Sequence, residues 1–117
     1  MTGDTVLVSA GTYTENLDFN GKNIVLLSLA GAATTVIESA QNGIPIVTID
    51  QFEDSTAILD GFTIQGAVNA SGIYIRYADP IIQNCDIRNC TSTSDGAGIF
   101  CDASGAIIRY CRVFDNA

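Results

Sequence analysis

The C-terminal half of this chain repeats itself. The segment Ala57-Ile58-Leu59-Asp60-Gly61-Phe62-Thr63-Ile64 returns as Pro80-Ile81-Ile82-Gln83-Asn84-Cys85-Asp86-Ile87, and again as Ala106-Ile107-Ile108-Arg109-Tyr110-Cys111-Arg112-Val113. The step from Ile81 to Ile107 is slightly longer than the step from Ile58 to Ile81. A companion segment runs in phase with it: Ile46-Val47-Thr48-Ile49-Asp50, then Gly72-Ile73-Tyr74-Ile75-Arg76, then Gly98-Ile99-Phe100-Cys101-Asp102. The difference between the steps falls in loops, since Asn89 to Ala97 is longer than Gly66 to Ser71 and an extra piece, Gln51 to Ser55, precedes Ala57. A period near two dozen residues that holds several short alternating strands predicts a β-solenoid. One turn cannot bury its apolar face alone, so successive turns must stack with parallel strands in register.

Side-chain alternation along a strand then assigns directions. With Val47 and Ile49 inward, Ile73, Ile75, Ile99 and Cys101 fall beneath them as two interior ladders. Leu59, Ile82 and Ile108 stack in a second sheet, as do Phe62, Cys85 and Cys111, while Ile64, Ile87 and Val113 form a further interior column. Composition agrees, because Ile, Val and Thr fill 33 of 117 positions, whereas lysine occurs once and glutamate three times. That balance excludes a helical bundle or coiled coil. The N-terminal half reads more loosely, with Val6 and Val8, Leu17 and Phe19, Ile24 and Leu26, and Val36-Ile37 as strands whose register on the later coils is open. At about 24 residues per coil, the expectation is one all-β domain over residues 1–117 with about five coils.

Charge and residue type narrow the function. The net charge of −8, with five scattered basic residues, argues against a nucleic-acid or anionic-membrane partner. No apolar run is long enough to span a membrane. Met1-Thr2-Gly3-Asp4 lacks a charged and then apolar leader, so no export signal is expected in the sequence as given. Histidine is absent, which removes His-Cys zinc sites, serine triads and imidazole acid-base chemistry together. The four cysteines, at 85, 90, 101 and 111, match no common zinc spacing. No metal or cofactor is expected.

The opening Gly3-Asp4-Thr5-Val6-Leu7-Val8-Ser9-Ala10-Gly11-Thr12-Tyr13-Thr14-Glu15-Asn16-Leu17 resembles the "GDTVLVxxGTYxEN" start of the pectin-lyase-like right-handed parallel β-helices. Asn20-Gly21-Lys22-Asn23-Ile24 resembles that family's next turn, and Ile82-Gln83-Asn84-Cys85-Asp86-Ile87-Arg88-Asn89-Cys90 is similar to its "I-x-N-C-x-I-x-N" coil. The resemblance implies a right-handed, single-stranded parallel β-helix. It implies little about activity, since the family hosts lyases, hydrolases, epimerases, esterases and adhesins. Members usually carry a short amphipathic cap helix before this opening, where only Met1 to Gly3 stand here. Open coil ends offer unpaired backbone groups, so self-association through an end is expected. Any longer parent protein would be secreted or displayed at a cell surface.

Two outward columns are the candidate ligand-binding residues. Thr48, Tyr74 and Phe100 would align aromatic rings suited to sugar, or rings that simply shield the sheet. Asp50, Arg76 and Asp102 would form an alternating column, either as register-fixing ion pairs or as a site where Arg76 grips an acidic sugar. Asp86 above Arg112 is a second such pair. The paired-aspartate and histidine motifs of the family's enzymes have no counterpart, and Asp79-Pro80 is followed by Ile81 where an epimerase signature has histidine. The expectation is a non-catalytic structural or polysaccharide-binding module, with a fragment of a carbohydrate-active enzyme as the alternative. Cys85 and Cys111 read as a buried thiol ladder behind Phe62, with a disulfide between them as the second option.

Overall fold

A computed structural model describes residues 4–92 and 96–116. Met1 to Gly3, part of the loop from Asn89 to Ala97, and Ala117 lie outside the described residues. In chain order the strands are β1 (Thr5–Val8), β2 (Gly11–Thr14), β3 (Leu17–Asp18), β4 (Val25–Ser28) and β5 (Thr35–Glu38). Then come β6 (Val47–Ile49), β7 (Ile58–Asp60), β8 (Thr63–Gln65), β9 (Ile73–Arg76) and β10 (Ile81–Gln83). The last four are β11 (Asp86–Arg88), β12 (Ile99–Asp102), β13 (Ile107–Arg109) and β14 (Arg112–Phe114). No helix interrupts them among the described residues.

Every strand pairs with the strand three places along the chain, and every pairing is parallel. Three sheets result: β1-β4-β7-β10-β13, β2-β5-β8-β11-β14, and β3-β6-β9-β12. The chain therefore winds through four complete turns and two faces of a fifth, where about five coils were expected. The repeat register holds residue for residue. Ile58, Ile81 and Ile107 are partners, as are Ile64, Ile87 and Val113, and Val47, Ile73 and Ile99 align in the third sheet.

The core is the stack of inward columns. Leu59, Phe62, Ile64, Ile73, Ile75, Ile82, Cys85 and Ile87 have no exposed surface. The N-terminal half joins the same columns, with Leu26 beside Leu59, Ile37 beside Ile64 and Leu17 beside Val47. At the outermost turns the inward positions meet solvent: Ile108 is 41 % exposed and Val113 50 %, and Cys101 is exposed as well. These residues face inward as expected, on strands that form the sheet edges among the described residues.

Corners between sheets repeat as faithfully as strands. Gly61, Asn84 and Tyr110 occupy equivalent corners, with φ of 88°, 55° and 55°. Glycine and asparagine suit this left-handed conformation, whereas for a tyrosine it is costly, on the order of 1–2 kcal/mol. At Gly61 a side chain is also barred by space, because a Cβ would run into Ser28 Oγ, which donates to the Gly61 carbonyl.

Outside, two columns are zipped by hydrogen bonds in one order: acid, amide, guanidinium. Gln65 Nε2 donates to Glu38 Oε2 at 2.8 Å, and Gln65 Oε1 accepts from Arg88 Nε at 3.0 Å. On the neighbouring sheet Gln83 Nε2 donates to Asp60 Oδ2 at 2.8 Å, and Gln83 Oε1 accepts from Arg109 Nε at 2.8 Å. The glutamine uses both ends of its amide, so each column fixes the register of three turns. The expected Asp86–Arg112 pair forms, with Arg112 Nε 3.2 Å from Asp86 Oδ1.

Candidate functional site

Sheet β3-β6-β9-β12 positions the candidate residues. Thr48, Tyr74 and Phe100 are register partners on β6, β9 and β12, between the inward pairs Val47/Ile49, Ile73/Ile75 and Ile99/Cys101, and so project outward. The Tyr74 and Phe100 rings stack with centroids 5.1 Å apart and planes within 9° of parallel. They form one wall of an open cleft of about 400 Å³, completed by Gly43, Pro45, Asn69, Ala70 and Ser71. These residues come from the loops that lead into β6 and β9. Ser71 is buried and its hydroxyl donates to the Gly96 carbonyl, so that wall is held in place. The Asn69 side chain is exposed and has no hydrogen-bond partner among the described residues.

The charged column departs from expectation. Arg76 Nε lies 3.2 Å from Asp102 Oδ2, with both side chains nearly half exposed. Asp50 forms no ion pair with Arg76 among the described residues, so the alternating three-residue column reduces to one pair. The Asp50 carboxyl is instead pushed up from its ordinary value, by its partial burial and then by the neighbouring charges of Asp18 and Glu53. Its environment is acidic, and Arg76 is turned elsewhere. The guanidinium sits 4.9 Å over the Tyr77 ring, a favourable cation–π placement.

Two features escaped sequence reasoning. Phe52 and Tyr77 stack at 6.3 Å and 22° just beyond the ends of β6 and β9, both in the left-handed conformation. Glu53, 1 % exposed, accepts the Gly21 N–H at 3.0 Å and the Gln51 N–H at 2.7 Å. Both Phe52 and Glu53 lie in the piece from Gln51 to Ser55 that the repeat alignment sets aside as extra. The carboxylate of Glu53 in that insertion, one turn on from the Asn20-Gly21 corner, was the available signal for a buried peg.

The thiols are all free. Cys85 and Cys111 stack in the interior column that also holds Phe62, and Cys101 is the register partner of Ile75. The disulfide option is therefore not the state of this structure.

The cleft presents aromatic, amide, hydroxyl and backbone groups. No carboxylate lines it among the described residues. The Arg76–Asp102 pair lies on the same strands as the two rings, and Asp18 is the register partner of Thr48 in the same outward column. A family model described as a right handed beta helix region matches residues 23–117. No curated protein and no solved structure matches the chain.

Proposed function

The chain belongs to the right-handed β-helix family, and from that premise we propose that it is a non-catalytic binding module that holds a saccharide chain in the cleft beside Tyr74 and Phe100. The observation that carries this reading is the pair of parallel rings forming one wall of an open cleft whose other wall carries the exposed Asn69 amide. A pyranose ring has apolar C–H faces and a hydroxyl rim. The aromatic wall suits the first and the Asn69 amide, with nearby backbone carbonyls, suits the second. The net charge of −8 favours a neutral glycan over a polyanionic one. Acid-base cleavage would need two carboxylates facing the bound sugar, and the cleft lining supplies none, which supports holding over hydrolysis.

The test is a glycan array followed by titration of the best neutral oligosaccharide. Tyr74→Ala is expected to weaken binding about tenfold or more, the loss of one aromatic contact. Gln65→Ala, on a different sheet, is expected to leave affinity unchanged. Equal affinity of Tyr74→Ala and the parent protein would refute the site, and failure of every neutral glycan would refute the ligand class.

A further inference from the structure

The strongest unused chemistry lies inside the solenoid, at corners of its last two described turns. Cys85 follows β10 and Cys111 follows β13, at equivalent corners that each precede the next strand. Their backbones are locked together, with the Arg112 N–H donating to the Cys85 carbonyl at 3.0 Å and the Asn84 N–H to the Arg109 carbonyl at 3.3 Å. Neighbouring parallel strands run about 4.8 Å apart, inside the Cα separation that a disulfide spans. The two side chains are neighbours in one interior column of the core. Their surroundings differ. Cys85 has no exposed surface, and its sulfur sits 3.2 Å from the Gln83 carbonyl oxygen. Cys111 is half-buried, close in the chain to Ile108 and Val113, which are themselves exposed. One thiol is thus reachable and the other is held behind it.

The geometry points to a reversible redox site in which Cys111 is the attacking cysteine and Cys85 the resolving one, closing a disulfide that staples β13 and β14 to the body of the solenoid. The oxidant is a low-molecular-weight disulfide such as oxidised glutathione. The Cys111 thiolate attacks one sulfur of that disulfide, forms a mixed disulfide and expels one thiolate. The Cys85 thiol then loses its proton and attacks Cys111 Sγ, the Cys111–glutathione bond breaks, and a second glutathione leaves. Two protein thiols are oxidised and one disulfide is reduced to two thiols. Electrostatics favours this order. The hydrogen bond from the Cys85 thiol lowers Cys111 to about 7, while the same bond and burial push Cys85 upward. A thiolate is therefore available at neutral pH on the accessible partner.

The test treats the native full chain with oxidised glutathione, quenches with acid, and counts thiols after unfolding. The count is expected to fall from four to two and to recover fully with dithiothreitol. Trypsin separates the candidates, because Cys85 falls in peptide 77–88, Cys111 in 110–112, and Cys90 with Cys101 in 89–109. The expected product joins 77–88 to 110–112. Cys101→Ser, at an exposed position, is expected to give the same product. In untreated protein, alkylation of Cys111 is expected to quicken as pH rises through about 7, below the range of an ordinary thiol. Oxidation is also expected to slow amide exchange across β13 and β14 by about tenfold or more, since the bridge removes the freedom of that turn to open. A stable glutathione adduct on 110–112 without closure, a bridge that includes 89–109, or four unchanged thiols would each overturn the assignment.

Discussion

Phe62→Ala is expected to lower stability by about 3–5 kcal/mol, the range for losing a buried aromatic ring. Phe62 has no exposed surface and stands in the interior column between Thr35 and Cys85. Its ring also borders a cavity of about 250 Å³ lined by Val8, Leu26, Ile37 and other residues of the first turns. Truncation therefore joins the space the ring leaves to that open pocket. Since a chain of this size has a total stability on the order of 5–15 kcal/mol, the variant should unfold at markedly lower denaturant. Urea unfolding reads the effect as a lower midpoint at unchanged slope. Ile108→Ala provides the comparison. It sits at an inward position of the last turn but is 41 % exposed, so its cost should stay below about 1.5 kcal/mol. Equal costs at the two positions would mean that the interior is not the stacked column described.

Glu53→Ala carries the second large effect, about 2–6 kcal/mol, set by the backbone donors it would strand. Glu53 is a carboxylate buried to 1 % exposure that serves two backbone donors from different turns, Gly21 and Gln51. Its own carbonyl accepts the Asp79 N–H at 2.8 Å, tying in a third turn. Alanine leaves two N–H groups without an acceptor, each costing about 1–3 kcal/mol. Glu53→Gln tests the mechanism. Its amide keeps one acceptor but turns an N–H₂ toward the other donor, so its cost should fall between the parent and alanine. A glutamine variant as damaged as alanine would show that negative charge, and not acceptor count, sets the energy. An alanine variant as stable as the parent would show that Glu53 is no peg at all.

The fold was legible where the period is regular. From Ile58 to Val113 the two steps are nearly equal and keep like residues over like, and the pairings follow. Before that, spacing drifts. Val25 pairs with Thr5 behind it and with Ile58 ahead of it, and the second partner stands much farther along the chain than the first. No self-comparison finds such unequal steps. Strand β2 was hidden for a different reason. Its inward slots hold Gly11 and Tyr13, and the tyrosine hydroxyl turns back to the Ser9 carbonyl at 2.6 Å, so no apolar alternation marks it.

The candidate site was legible in its outward register and not in its walls. Alternation alone placed Tyr74 over Phe100 and Arg76 over Asp102. Which loops would close on the rings depends on residues 43–45 and 69–71, whose paths come from corner geometry. The Asp50–Arg76 pairing failed because Arg76 has a better-placed acid in Asp102 and an aromatic face in Tyr77. Strand register brings residues into range, and the choice among neighbours is made by side-chain packing.

Parallel, in-register stacking of successive turns, seen in the third sheet as Val47, Ile73 and Ile99 in one line, underlies both the core and the cleft. Solution NMR reads this directly through nuclear Overhauser contacts between backbone protons. Strong cross-strand contacts joining Ile73 and Ile75 to Ile99 and Cys101 on one side, and to Val47 and Ile49 on the other, are expected. Contacts that instead pair β9 with β10 as an antiparallel hairpin, or that leave Ile73 without a neighbour at Ile99, would contradict it.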